Sequence, residues 1–164
     1  MQCKLLRLGK KAGARVWVPK SDQKKMQEAC EPTNFPRVFS SGLDVPGMFV
    51  ENIDVIWNEE FNIHAAFEVE NSTSVYSGLL RFSDLKVMAP NHLYPLFIVA
   101  PLSRKNIARQ QFKRPTFGRL GFDKEFRYLS YQAVDEVDNA VRSAASVPRV
   151  VELLKEKSEL LSAD

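Results

Sequence analysis

The sequence predicts a mixed α/β layer fold, with helices packed on a central sheet. Three observations carry that expectation. Residues 53–57 and 63–70 form two β-rich runs joined by a short polar turn. Residues 94–101 are apolar almost without interruption, as in a strand covered on both faces. Between and after these strands lie segments with apolar residues at helical spacing.

Taken in order, residues 1–13 read as a short helix, with Leu5, Leu6 and Leu8 as apolar positions and Gly13 as its stop. Arg15–Pro19 reads as a strand centred on Val16, Trp17 and Val18. Residues 31–48 hold Pro32, Pro36, Pro46, Gly42 and Gly47, which marks a long surface loop. Ile53–Trp57 is the next strand, Asn58–Asn62 a turn and Ile63–Glu70 the following strand, so a β-hairpin is the simplest arrangement. In its second arm Ile63, Ala65, Phe67 and Val69 alternate onto one face, with His64, Ala66, Glu68 and Glu70 on the other.

Ser74–Met88 contains no Pro, and Pro90 closes it; Leu79, Phe82 and Leu85 form a core stripe at helical spacing. Beyond the apolar strand Tyr94–Pro101, Ser103–Phe112 reads as a basic helix that ends before Arg114-Pro115. Phe126–Leu129 is a short strand, and residues 131–144 and 149–161 are two amphipathic helices. The expected sheet has about four or five strands, a common size. Residues 1–164 are expected to form a single domain, natural or excised from a longer chain, with 145–164 as a helical tail.

With 164 residues, 45% hydrophobic and 26% charged, the composition excludes a disordered chain. No apolar run is long enough to cross a bilayer, and residues 1–11 lack the apolar core of a signal peptide, so a cytoplasmic protein is expected. Cys3 and Cys30 are expected as free thiols. His64 and His92 are too few for a His-rich metal centre or a classical zinc finger. The net charge of +3 is mild, but its distribution is uneven. Residues 1–25 carry eight basic and one acidic side chain, residues 103–127 eight and two, and residues 131–164 four and seven. Two basic blocks flanking a segment with acids on apolar strands suit a polyanion held over a metal site; the alternative is a solvated basic face.

The informative feature is Asp54, followed fourteen residues later by Glu68-Val69-Glu70. Each acid interrupts an apolar strand, and burying a lone carboxylate is costly unless it is paired, protonated or metal-bound. Alternation puts Glu68 and Glu70 on one face, roughly 6–7 Å apart along the strand. Pairing in the hairpin would bring Asp54 beside them. Crowded carboxylates are relieved by a divalent cation, and oxygen ligands without His or Cys select Mg²⁺, Mn²⁺ or Ca²⁺. The alternative is a solvent-facing strand edge whose acids pair with Arg or Lys.

The pattern Asp54…Glu68-Val69-Glu70 on two strands, followed by a helix and an apolar strand, resembles the PD-(D/E)XK nuclease superfamily and its restriction-endonuclease-like fold. Ala66–Glu70, Thr73–Arg81, Ser83–Leu85, Ile98–Pro101 and Arg114–Phe117 resemble an uncharacterised, restriction-like bacterial group within it. The resemblance covers roughly residues 6–140, with 26–50 poorly matched, and implies a mixed central β-sheet flanked by α-helices. It implies Asp54 and Glu68 as ligands of Mg²⁺ or Mn²⁺, with the Val69 carbonyl as a third. Glu70 stands where the superfamily usually has Lys, and a few similar restriction enzymes use Glu there to bind a second metal or act as base. No acid lies on the first helix, residues 1–13, where many members contribute one.

The expected activity is metal-assisted hydrolysis of DNA phosphodiester bonds in a restriction or defence system, with Asp54, Glu68 and Glu70 as catalytic and metal-binding residues. Arg81, Arg104, Lys105, Arg109, Lys113 and Arg114 are the candidate phosphate contacts; the alternative for Arg81 is an ion pair with Asp84 or with the acids. Phe112 and Phe117 read better as core packing than as base-stacking residues, Tyr76 as packing rather than a phosphate contact, Trp17 and Trp57 as core strand residues, and His64 as a rim residue. The partner is DNA, or RNA, which these residues do not distinguish; a homodimer or other domains of a larger chain are further expected partners. The second reading is a non-catalytic nucleic-acid-binding module. A third is an assembly domain in which Val150, Val151, Leu153, Leu154 and Leu160 dock a partner helix rather than their own core.

Overall fold

The structure, a computed structural model, describes residues 1–30, 34–36, 39, 50–59, 62–71, 75–88, 93–118 and 125–161. Among them the strands are β1 (Arg15–Trp17), β2 (Val55–Glu59), β3 (Asn62–Val69), β4 (Leu96–Ala100), β5 (Phe126–Ser130) and β6 (Glu159–Leu160). The helices are α1 (Gln2–Lys11), α2 (Lys20–Ala29), α3 (Val75–Met88), α4 (Lys105–Phe112), α5 (Pro115–Gly118), α6 (Tyr131–Ala140) and α7 (Val150–Glu156), with a 3₁₀ turn at Leu102–Arg104. The strands lie in the sheet in sequence order. Pairing is antiparallel from β1 to β3, parallel from β3 to β5 and antiparallel again at β6. This mixed sheet between helices is the restriction-endonuclease-like α/β architecture that the sequence predicts.

Two apolar clusters fill the layers. On one face Leu5, Leu6 and Leu8 of α1, Met26 of α2, Val134 and Val137 of α6, and Val150, Val151 and Leu154 of α7 cover Trp57, Phe67, Phe97 and Val99. On the other, Val75, Leu79, Phe82 and Leu85 of α3, Ala108 and Phe112 of α4 and Phe117 of α5 cover Ile56, Ala66, Leu96 and Ile98. The stripe of Leu79, Phe82 and Leu85 and the five buried residues of β4 bear out their expected roles. Both tryptophans are buried, with indole N–H groups donating to the Leu5 and Glu51 carbonyls at 3.1 and 2.9 Å. Phe112 and Phe117 are likewise core residues.

Helix α1 ends where expected. Gly13 has φ +81°, Ala14 N–H bonds to the Gly9 carbonyl and Gly13 N–H to the Lys10 carbonyl, a Schellman closure. A polar seam then runs between α1 and α6. Lys4 pairs with Asp135, Arg7 makes a two-pronged contact with the buried Asp138, and Lys11 Nζ donates to the Val141, Arg142 and Ala144 carbonyls. Lys11 thereby caps the end of α6, where unpaired carbonyls gather.

The structure corrects four expectations and adds a helix that the sequence reading did not assign. The sheet has six strands rather than four or five. Residues 20–29 form α2, whose one buried residue, Met26, gives no periodic signal. The helical reading of 149–161, and the helical tail at 145–164, fail beyond Glu156; Glu159 and Leu160 turn back onto β5 as an edge strand. Val150, Val151 and Leu154 pack on the chain's own core, which removes most of the expected partner-docking stripe. Cys3 and Cys30 are not free thiols but form a disulfide, because α2 returns its end to the start of α1. The expected loop at 31–48 lies largely outside the described residues. Among the described residues, no helix is long and apolar enough to cross a membrane.

The face alternation of β3 also fails at its first residues. Trp57 pairs with Ala65 but Asn58 with Ile63, so His64 is an extra residue in a bulge. Ile63 consequently joins the α3-side cluster and Ala65 the α1-side cluster.

Gly9 lets α1 lie against the sheet. A Cβ there would stand 2.6 Å from Trp57 Nε1 and 2.7 Å from Val16 Cγ1. Replacing a mid-helix Gly by Ala ordinarily stabilises a helix by about 1 kcal/mol. Gly9→Ala is expected to do the opposite and destabilise the fold by about 1–3 kcal/mol through overpacking, read as a lowered urea midpoint.

Candidate functional site

The expected acids meet at one end of the sheet. Strands β3 and β4 run parallel, so their carboxyl ends lie side by side there. Asp54 immediately precedes β2, which runs antiparallel to β3, so the hairpin register carries it to this end. There Asp54 Oδ2 accepts a hydrogen bond from Val69 N–H at 2.8 Å. Glu70 leaves β3 with its N–H donating to the Val99 carbonyl at 2.8 Å, while Tyr131 Oη donates to the Glu70 carbonyl at 3.1 Å.

Glu68 shares the face of Ala66 and points at α3. It has no exposed surface. Arg81 grips it through both oxygens, Nε to Oε1 at 2.7 Å and Nη2 to Oε2 at 2.5 Å. One helical turn earlier, Gly78 brings α3 against the acids: a Cβ there would lie 3.0 Å from both Glu68 Cβ and Glu70 Oε1. Gly78 also hydrogen-bonds Glu70 through its backbone N–H. The contacts of Gly78 bear out the expectation that Glu68 and Glu70 share a face.

All three carboxyls are raised above the ordinary range, in each case mainly by burial. Glu68 is pushed up to about 8 despite the Arg81 guanidinium on it, with Asp54 and Glu70 adding repulsion. Glu70 is raised by burial and by Asp54, while Arg81, Arg104 and Gly78 pull it down. Asp54 is raised by burial and, in lesser part, by Asp22, against the Val69 N–H and Arg81. The bond to Glu68 raises Arg81 in turn.

This donor set suits a hard divalent cation in chemical type, being all oxygen, crowded and poorly hydrated. Its arrangement leaves one oxygen pair taken, because Arg81 already donates to both oxygens of Glu68. Among the described residues, no three His, Cys, Asp or Glu side chains converge as a ready metal cage.

The expected basic residues divide. Arg81 faces Glu68, and Arg104 lies within electrostatic reach of Glu70. Lys105 and Arg109 both pair with Glu159 of β6, Arg109 at 3.0 Å. Lys113 and Arg114 are exposed, with the Arg114 guanidinium 4.8 Å over the Tyr76 ring and Tyr76 edge-on to Phe117. His64 lies at the opposite end of β3, its Nδ1 3.4 Å from the Glu59 carboxylate, and belongs to the rim. His92 is outside the described residues. Two residues near the acids had no sequence signal. Asp22 comes from the unforeseen α2, and Tyr131 opens α6 directly after β5. The Ser130 N-cap, accepting from Ala133 N–H at 3.1 Å, fixes that entry.

Comparison with known proteins gives a consistent relationship. Residues 1–157 match the family described as the type II restriction enzyme NmeDI C-terminal domain. The chain is 30% identical over 148 residues to the type II restriction enzyme NmeDI of Neisseria meningitidis serogroup C. That alignment covers 84% of this chain and 41% of the relative, so the chain corresponds to about two fifths of that enzyme's length. No solved structure matches the chain.

The raised carboxyls set a pH dependence. Glu68 holds its proton up to about pH 8 in the folded chain but releases it near 4.5 when unfolded. Over that window the folded state binds more protons, so stability falls as pH rises. In chelator-treated protein the urea midpoint is expected to drop between about pH 5 and about pH 8. Glu68→Gln is expected to flatten that slope; an equal slope in both proteins counts against Glu68 as its source.

Proposed function

The chain belongs to the family of the type II restriction enzyme NmeDI C-terminal domain, and on that premise we propose that it hydrolyses DNA phosphodiester bonds within a restriction and defence system. The observation that supports this most is the meeting of Asp54, Glu68 and Glu70 with Arg81 and Arg104 at the carboxyl ends of β3 and β4. The order of strands and acids agrees with a PD-(D/E)XK nuclease in which Glu70 replaces the usual Lys.

The proposed reaction joins a water oxygen to phosphorus and breaks a P–O ester bond. Glu70 takes the water proton, for which a carboxylate raised by burial and by Asp54 above its ordinary range is suited. Arg104 stabilises negative charge on the phosphoryl oxygens, and the leaving oxygen takes a proton from solvent. Asp54 and Glu68 are the residues proposed to hold Mg²⁺ or Mn²⁺, and Glu68 would do so with its oxygens released by Arg81. That ion supplies Lewis-acid polarisation and a water of lowered pKa when bound. Lys113 and Arg114 extend the phosphate track along α4 and α5, whereas Lys105 and Arg109 reach it only by giving up Glu159.

A second reading is favoured by the Arg81–Glu68 pair and by the missing Lys at position 70. In it the domain binds DNA without cutting.

Plasmid cleavage in Mg²⁺ and in Mn²⁺ separates the two readings. Asp54→Ala and Glu70→Ala are expected to lower the rate by about 10²-fold or more, with the circular-dichroism spectrum unchanged. Cleavage undiminished in Asp54→Ala sinks the site assignment. Salt-sensitive duplex binding without cleavage by the unaltered chain establishes the second reading. In either case Lys113→Ala and Arg114→Ala are each expected to weaken duplex binding and to reduce the salt slope by about one.

A further inference from the structure

The first basic block of the sequence, residues 1–25, has no part in the reaction above. Three of its side chains, Arg7, Lys10 and Lys11, meet Arg142 around a cavity of about 510 Å³. Ala144 and Ala145 complete its described lining, and no acid is among those residues. Helices α1 and α6 run side by side in the same direction, because Lys4, Arg7 and Lys11 meet Asp135, Asp138 and the Val141 carbonyl in turn. The carboxyl ends of both helices therefore reach the cavity. Helix α6 starts at Tyr131, whose hydroxyl donates to the Glu70 carbonyl, and runs for ten residues. Its far end lies about 15 Å along the helix axis from the acid end of the sheet.

Cations at helix carboxyl ends ordinarily offset the helix dipoles, but the balance here exceeds that need. Each helix end carries about half a negative charge, so the two ends together offset about one cation. The buried Asp138, gripped by Arg7 through Nε at 2.9 Å and Nη2 at 2.5 Å, offsets another. Roughly two of the four cations remain in excess. Two of the four are also fixed in place, Arg7 by Asp138 and Lys11 Nζ by the Val141, Arg142 and Ala144 carbonyls. Fixed cations around a concave surface concentrate positive potential and hold a multivalent anion without first having to be ordered. Guanidinium groups match phosphate oxygens in geometry, and the described lining has no aromatic or amide side chain to read a base.

We propose that the cavity between the carboxyl ends of α1 and α6 is a binding site for adjacent phosphate groups of one ligand. Arg7 and Lys11 supply fixed charge, and the exposed Lys10 and Arg142 close on the ligand. The site is separate from the acids, and the inference does not depend on whether those acids cut DNA. A nucleic-acid backbone and a free polyphosphate share this chemistry, and the test separates them.

The test uses the full chain in EDTA, with two probes: calorimetric titration of inorganic tripolyphosphate, and anisotropy of a labelled DNA duplex over a range of salt. The double variant Lys10→Ala/Arg142→Ala removes two cations and keeps the Arg7 and Lys11 contacts that join α1 to α6. It is expected to keep the circular-dichroism spectrum and to bind tripolyphosphate about tenfold or more weakly. Lys24→Ala/Lys25→Ala removes two exposed cations of the same block outside the cavity, and is expected to bind both probes as the unaltered chain does. A duplex salt slope lowered by about two in the first variant alone assigns the cavity to nucleic-acid backbone. An unchanged slope with weakened tripolyphosphate binding assigns it to a free polyphosphate. Arg142→Ala alone serves if the double variant does not fold, with an expected slope change of about one. Equal losses in the two double variants, or no effect of the cavity variant on either probe, overturn the site.

Discussion

The Arg81–Glu68 fork is the contact on which the rest of this arrangement turns. A carboxyl group without exposed surface, set between an apolar strand and an apolar helix, needs a cation or a proton beside it. Meeting that need from α3 fixes how the helix lies. Arg81 must face β3, so Gly78, one turn earlier, faces it too, where a Cβ would crowd Glu68 and Glu70 at 3.0 Å. Once that rotation is set, Val75, Leu79, Phe82 and Leu85 fall onto Ala66, Leu96 and Ile98. Electrostatics and packing on this face are thus one problem with one solution.

Much of this was legible in the residues, for identifiable reasons. Two acids two apart in an apolar run share a strand face, and a short hairpin brings Asp54 to the same end. Those inferences need only period two and antiparallel pairing. The partner of Glu68 needed the rotation of α3 as well, which spacing along one helix does not supply. The bulge at His64 was invisible because both neighbours are apolar and suit either face. Helix α2 was missed because it is polar nearly all round, and Asp22 with it. The edge strand at Glu159 and Leu160 is too short for any period to show. The disulfide followed from the missed helix, since the nearness of Cys3 to Cys30 depends on where α2 ends.

The basic block at 103–127 also reads differently in three dimensions. Its charges are partly spent inside the molecule, with Lys105 and Arg109 tying α4 to the edge strand through Glu159. Charge counted along a sequence overstates the field offered to a polyanion whenever acids distant in sequence fold back onto it. Beyond that pairing, Arg104 lies within electrostatic reach of Glu70, and Lys113 and Arg114 are exposed where α4 meets α5.

The seam between α1 and α6 has a consequence for how the domain is made. The strands sit side by side in the order of their synthesis, so each can add to its predecessor as it emerges. The face covered by α1 is different. Lys4, Arg7 and Lys11 find their partners about 130 residues later, and Leu5 and Leu8 wait for Val134, Val137 and Leu154. Long-range closures of this kind are slow and leave apolar surface open in the meantime. On the ribosome α1 and α2 can cover part of this face early, but it is completed only once α6 and α7, through Leu154, have left the exit tunnel, which leaves the remaining apolar surface open to aggregation and to chaperones until then.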